Sequence, residues 1–160
     1  MSYRIGLGYD VHQLAEGEKL WLGGILIPHN KGLIAHSDGD VLLHAICDAL
    51  LGAAKLRDIG YHFPDTLSEF KNIDSKILLS RTYRLVTDKG FMLVNLDATI
   101  SAQRPQLKGY IPEMETTIAR VLNIDADAVN IKATTTEKLG FEGREEGISA
   151  QAVVLIEKIG

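Results

Sequence analysis

Phe91-Met92-Leu93-Val94-Asn95-Leu96-Asp97-Ala98-Thr99-Ile100-Ser101-Ala102 is a long strand pattern, and what flanks it decides the fold class. Before it, Asp74 caps a helix over about Ser75–Lys89 that stops at Gly90. After it, a helix spans about Ile111–Leu122, with Pro112 tolerated in its first turn. Val129–Thr134 reads as a strand, residues 135–147 as a glycine-containing loop, and Ile148–Ile159 as a final strand. Further upstream, residues 4–9 read as a short strand that delivers Asp10-Val11-His12. Residues 19–28 read as a hairpin turning at Gly23-Gly24. Asp38-Gly39-Asp40 supplies the N-cap of a helix from Val41 to about Ala54, which is apolar nearly all round and therefore expected to be buried. Residues 56–72 are irregular, with Gly60 and Pro64 among them. Strands and helices mix without strict βαβ alternation, and the strands are long. That predicts a single α+β domain over 1–160, a mixed or antiparallel β-sheet covered by helices on one face.

Composition narrows the function. A chain of 160 residues is one domain on the usual length prior. With 46% apolar and 24% charged residues, it is excluded from the disordered and fibrous classes. Lys plus Arg is 17 against 21 for Asp plus Glu, and the net charge of −4 argues against a general nucleic-acid binder, although a local basic pocket can still hold phosphates. Cys47 is the one cysteine, so the chain holds neither an intrachain disulfide nor a multi-cysteine zinc site; it reads as a buried, inert thiol. No signal-peptide core precedes the first strand, and no apolar stretch approaches the roughly 18 residues of a membrane span. A cytoplasmic protein with neither membrane nor nucleic-acid partner is the expectation.

Four groups of residues carry chemistry. Asp10 and His12 are two apart, which on a strand puts both on one face. With His44 from the apolar helix they offer two nitrogens and one carboxylate, the donor set of an open tetrahedral zinc site. Spacing alone leaves a second reading standing, a chance Asp-x-His pair and a hydrogen-bonded core histidine. Ala35-His36-Ser37-Asp38-Gly39-Asp40 lies directly before a helix N-terminus, where backbone N–H groups, His36 and Ser37 can hold a phosphate, or where the side chains serve only as caps. Lys132-Ala133-Thr134-Thr135-Thr136-Glu137-Lys138-Leu139-Gly140-Phe141-Glu142-Gly143-Arg144 offers hydroxyls and cations for a diphosphate and a hard oxygen, Glu137, for Mg²⁺; a solvated polar loop is the alternative. Asp58-Ile59-Gly60 and Phe63-Pro64-Asp65-Thr66 place carboxylates that accept from polyol hydroxyls or cap turns. Ala102-Gln103-Arg104-Pro105-Gln106-Leu107-Lys108 lines a flat base pocket or simply connects a strand to a helix.

Together these segments resemble the 2-C-methyl-D-erythritol 2,4-cyclodiphosphate synthase family of the non-mevalonate isoprenoid (MEP) pathway. The resemblance rests on Gly8-Tyr9-Asp10-Val11-His12, Gly32 to His44, Asp48 to Ala54, Asp58-Ile59-Gly60, Phe63 to Thr66 and Lys132 to Phe141, in order over essentially the whole chain. It implies a lyase that converts 4-diphosphocytidyl-2-C-methyl-D-erythritol 2-phosphate to the cyclic diphosphate and CMP. It implies a homotrimer with active sites between subunits. It implies zinc or another divalent cation on Asp10, His12 and His44, and Mg²⁺ or Mn²⁺ between Glu137 and the substrate phosphates. By the same resemblance His36 and Thr135 position the reacting phosphates, with Ser37 beside them. Asp58, Ile59, Gly60, Phe63, Pro64 and Asp65 surround the erythritol, and Ala102, Gln103, Arg104, Pro105, Gln106, Leu107, Lys108, Ala133, Thr134, Thr135 and Thr136 form the cytidine pocket. Phe141 and Arg144 match positions near the diphosphate and a central channel for isoprenoid diphosphates. The chain departs from the family at Gln106, where Lys is usual, and at Tyr9, where an apolar aromatic is common. Two other classes compete: a zinc-dependent phosphoester hydrolase and a non-catalytic trimer that binds isoprenoid diphosphates.

Overall fold

In the computed structural model, which describes residues 2–160, the chain begins with β1 (Tyr3–Glu16), a hairpin of β2 (Leu20–Leu22) and β3 (Ile25–Ile27), and β4 (Lys31–Leu33). Helices α1 (Val41–Ala53), the short α2 (Ile59–His62) and α3 (Ser75–Asp88) lead to β5 (Phe91–Ser101). Then come α4 (Ile111–Leu122), β6 (Val129–Thr134), the short α5 (Gly140–Gly143) and β7 (Gly147–Lys158). Five strands form one mixed sheet in the order β4-β1-β7-β5-β6, antiparallel except for β5 beside β6. This is the expected α+β class, with α1 laid across β1 and β7 and α4 against β6 and α3.

Three expectations need correction. β1 is far longer than residues 4–9. Its pairing with β7 continues through Asp10↔Ala150 and His12↔Ile148, and β4 takes over at Leu14↔Leu33. Asp10-Val11-His12 therefore sits within a strand, held by cross-strand hydrogen bonds, rather than beyond its end. β4, three residues long, carries too little pattern to stand out in the sequence. The stretches read as irregular or loop contain the single-turn helices α2 and α5.

The sequence dictates how closely α1 approaches the sheet. Gly6 and Gly8 face the helix, and a β-carbon built on them would lie 1.9 Å from the Ala49 carbonyl oxygen and 1.8 Å from that of Ala45. Only glycine leaves room for the helix backbone there. Ala45, Ala49 and Ala53 keep the helix side of the contact small, and all three are buried. Asp40 fixes the near end of α1. Its carboxylate accepts from Leu43 N–H at 3.1 Å as N-cap, and from Gly23 and Gly24 N–H at 3.0 and 2.7 Å. The hairpin turn, with φ of 66° and 79° at the two glycines, is thereby fastened to the helix. Burial pushes the Asp40 carboxyl up to about 6, reinforced by the charge of Asp38 and opposed by the amide bonds.

Gly8→Ala should lower stability by about 3 kcal/mol or more, because two backbones must separate to admit one methyl group. Gly52→Ala, on the exposed side of the same helix with nothing within 4 Å of the new carbon, should stabilise by up to about 1 kcal/mol. Urea unfolding at fixed protein concentration checks both, and an unshifted midpoint for Gly8→Ala would refute the close contact.

Candidate metal centre and the clefts around it

Alternation along β1 turns Gly6, Gly8, Asp10 and His12 toward α1. The glycine contact then sets His44, one residue before Ala45, over Asp10. The Asp10 Oδ2 atom lies 3.1 Å from His44 Nδ1 and 3.4 Å from His12 Nδ1, and the two imidazole centroids are 5.2 Å apart. One donor atom from each of Asp10, His12 and His44 falls within 4.8 Å of the others. Asp10 and His12 are half-buried and His44 is buried.

Hydrogen bonding decides which nitrogens are open. The Ser75 hydroxyl donates to Asp38 Oδ1, so its oxygen accepts from His44 Nε2, 2.8 Å away. Ser37 Oγ lies 3.2 Å from the same nitrogen. In the neutral imidazole the Nδ1 lone pair then faces the Asp10 carboxylate, two acceptors that repel unless a cation stands between them. His12 Nδ1 lies 2.6 Å from the Val11 carbonyl oxygen, which can only accept, so Nε2 is the nitrogen open for a ligand. Two imidazoles and one carboxylate, oriented by their other contacts, fit a divalent cation and leave a coordination position for another molecule. Burial works against charge on His44. The bond to Asp10 and the charges of Asp10, Asp40 and Asp38 outweigh it and hold the imidazole above its ordinary pKa.

The triad opens into a cleft of about 400 Å³ shared with His36, Ser37, Ile59, Gly60, Phe63, Pro64 and Asp65. His36 Nε2 donates to the Leu67 carbonyl at 3.0 Å, and its own carbonyl accepts from Asn72 N–H at 2.7 Å. Both bonds tie the 64–72 loop to the wall. Asp58 caps α2 through Tyr61 N–H at 2.9 Å, and Asp48 accepts from Ile59 N–H at 2.8 Å. Sequence reasoning meets Asp48 only as the start of the Asp48–Ala54 stretch and assigns it no role. Nor does it relate Ser75 to Asp38. Asp40, and not Asp38, is the cap of α1.

Two further clefts hold the remaining expected residues. Ala102, Gln103, Pro105, Gln106, Leu107 and Lys108 line one of about 460 Å³ with Ala133, Thr134 and Thr135. Gln103 Oε1 accepts from Lys138 N–H at 3.1 Å, joining its two walls. Arg104 and Thr136 are outside that lining, and Thr136 donates to the Leu139 carbonyl. Glu137 is exposed on a turn where it and Lys138 are left-handed, with φ of 54° and 65°, and its N–H donates to Thr135 Oγ1 at 3.3 Å. Consecutive left-handed residues other than glycine are strained, a pattern that clusters at ligand-binding turns. The third cleft, about 690 Å³, takes in Val11, His12, Lys31, Phe141 and Arg144; Arg144 pairs with Glu146 at 2.9 Å. The first and second clefts share no lining residue. Cys47 is buried on α1, its thiol pushed up to about 12 by burial. Among the described residues, no helix is long and apolar enough to cross a membrane.

A model of the YgbB family matches residues 3–157. The chain is 65% identical over 159 residues to 2-C-methyl-D-erythritol 2,4-cyclodiphosphate synthase of Bacteroides fragilis, covering 99% of this chain and 100% of that one. It is 59% identical over 157 residues to the Cellvibrio japonicus enzyme of the same name, covering 98% and 99%. Among solved structures, the bifunctional IspDF of Campylobacter jejuni superposes with a TM-score of 0.95 at 46% identity; the match covers 99% of this chain and 43% of that one. The CDP-bound form of a 2C-methyl-D-erythritol-2,4-cyclodiphosphate synthase superposes with a TM-score of 0.89 at 37% identity, covering 96% and 100%.

The raised His44 pKa sets the pH dependence of metal binding. A proton and a metal ion compete for Nδ1, so affinity for Zn²⁺ should fall on acidification, starting above the ordinary histidine range. In the metal-free chain the sign is that of a raised group. The protonated His44–Asp10 pair stabilises the fold below the ordinary histidine pKa, and that contribution fades as pH rises past the raised one. Wild type should bind one ion per chain, with His44→Ala and Asp10→Ala binding none. Metal analysis and the pH profile of affinity check this, and full occupancy in either variant would overturn the ligand assignment.

Proposed function

The chain belongs to the YgbB family, and on that premise we propose that it closes 4-diphosphocytidyl-2-C-methyl-D-erythritol 2-phosphate into 2-C-methyl-D-erythritol 2,4-cyclodiphosphate with release of CMP, a phosphorus–oxygen lyase step of the MEP route to isoprenoids. The observation that carries the reading is identity with enzymes of that name over the full chain. The oriented Asp10–His12–His44 cluster beside His36 and Ser37 supports it independently.

An oxygen of the 2-phosphate attacks the β-phosphorus, the bond from that phosphorus to the bridging oxygen breaks, and CMP leaves with the oxygen. The nucleophile is already an anion near neutral pH, so the protein's task is to bring two anionic groups together. Asp10, His12 and His44 would hold zinc or another divalent ion, and Glu137 would offer its carboxylate to Mg²⁺ or Mn²⁺. Such ions stabilise the charge that develops on phosphate oxygens and orient them for attack. His36, steadied through Leu67, presents its other nitrogen to a phosphate. Thr135, whose oxygen already accepts from Glu137 N–H, turns its hydroxyl proton toward another. Ser37 adds a donor beside them. Gly60, Asp65 and Asp58 meet the erythritol hydroxyls, with Ile59, Phe63 and Pro64 packing its carbon face. The loop 102–108 and Thr134–Thr136 receive cytidine. With Gln103 engaged by Lys138, the cytosine edge is left mainly to backbone groups.

The base cleft and the metal cleft of one chain are separate, as expected if each reaction site is completed by a neighbouring copy. A second observation favours assembly. The outer face of β1 is apolar at alternate residues, with Ile5 75% and Leu7 67% exposed beside Tyr9, Val11 and, on β7, Val153. An antiparallel sheet facing water ordinarily turns polar side chains outward. We infer a homotrimer in which these faces meet, with Phe141 and Arg144 toward the central channel and its isoprenoid diphosphates.

Phosphorus NMR of the reaction should show the cyclic diphosphate and CMP appearing together. Inorganic phosphate would instead indicate a hydrolase, and unchanged substrate a binding protein. Glu137→Gln should fold and keep the triad metal, yet lose most turnover; undiminished turnover at low Mg²⁺ would remove Glu137 from the mechanism.

Sedimentation should give roughly three times the mass of one chain. A fully active monomer would refute the shared site.

A further inference from the structure

We propose that Asp38 and Ser75 form a positioning relay that fixes which nitrogen of His44 faces the metal site. Both look like helix caps, and neither has that task. Asp40 caps α1, and Asp74 caps α3 through Lys76 N–H at 2.9 Å. Ser75 is completely buried, and Asp38 grips it twice: Oδ2 accepts from its N–H at 2.9 Å and Oδ1 accepts from its hydroxyl. Asp38 is itself held, its N–H donating to the Ile73 carbonyl at 3.1 Å while Oδ1 also accepts from Asp40 N–H at 3.1 Å.

With its proton committed to Asp38, Ser75 Oγ can only accept from His44 Nε2–H, and Nδ1 keeps its lone pair toward Asp10. The carboxylate pulls on the hydroxyl, the hydroxyl on the imidazole N–H, and Nδ1 becomes a stronger donor. Partners behind a metal-binding histidine fix its tautomer and ring orientation, and removing them weakens metal binding about 10–100-fold. Ser37 Oγ, at 3.2 Å, shares the Nε2 proton but receives Gly39 N–H at 3.2 Å and is less firmly placed. Three separate parts of the chain thus meet on one ring: α1 carries it, the 37–40 loop supplies the charge, and the first residue of α3 transmits it.

The inference rests on the metal reading of the triad, and two measurements separate them. Zinc affinity is measured by competition with a chromophoric chelator for wild type, Ser75→Ala, Ser75→Cys and Asp38→Asn. Nitrogen-15 NMR of the His44 ring in metal-free protein, at a pH above its titration, reports the tautomer. Wild type should be Nε2–H, and each variant should bind zinc about 10–100-fold more weakly with a mixed tautomer. Ser75→Cys keeps nearly the volume and supplies a poor acceptor, so it carries the test if Ser75→Ala does not fold. Variants that match wild type in affinity and tautomer overturn the relay and leave the metal reading standing. A wild type that binds no zinc overturns the metal reading, and the tautomer still decides the relay: Nδ1–H in wild type refutes it.

Discussion

Helix α1 touches β1 backbone to backbone at Gly6 and Gly8, and the geometry of the Asp10–His12–His44 cluster depends on that contact. A residue of any other type would interpose a carbon within 2 Å of a helix carbonyl. Because the two backbones meet, a side chain one step further along the helix, His44, reaches the strand position one step further along β1, Asp10. The site is therefore an extension of the core. Its three side chains are aligned by packing between regular elements rather than by loops, and such placement is what a metal coordinated at distances near 2 Å would demand.

The same tight contact gathers negative charge. Asp10, Asp38, Asp40 and Asp48 all lie close enough to His44 or to one another to shift protonation, and two of them are raised by burial and their neighbours. Each is quieted differently. Asp40 is met by three backbone N–H groups, Asp48 by Ile59 N–H, and Asp38 by the N–H and hydroxyl of Ser75. Asp10 alone faces nitrogens that can take either a proton or a cation. The carboxylates that look alike in the sequence thus divide into structural acceptors and one candidate ligand, according to what their oxygens meet.

Much of this was legible beforehand where the signal is local. The apolar run Val41–Ala53, the Gly23-Gly24 turn and the helices begun by Asp74 and ended at Leu122 all carry their own punctuation. The placing of Asp10 and His12 on one face followed from strand periodicity, and the other candidate residues were named by resemblance. What stayed hidden is long-range. β1 continues through the mixed residues 10–16 because β7 and β4 supply partners, which no local propensity records. Ser75 lies 37 residues from Asp38, and both mimic caps. Asp48 looks like any polar residue on a helix until α2 folds back on it.

The strand that completes the sheet comes last. β7 lies between β1 and β5 at the middle of the sheet, and Tyr3 pairs with Glu157. While the ribosome is still working toward residue 147, β1 and β5 have no common neighbour, and each offers an unsatisfied edge to any strand nearby. Pairings of such sequence separation close slowly. Chains released short of β7 should behave as aggregation-prone debris rather than as partly active enzyme, and quality control in the cell would have to recognise them by those edges.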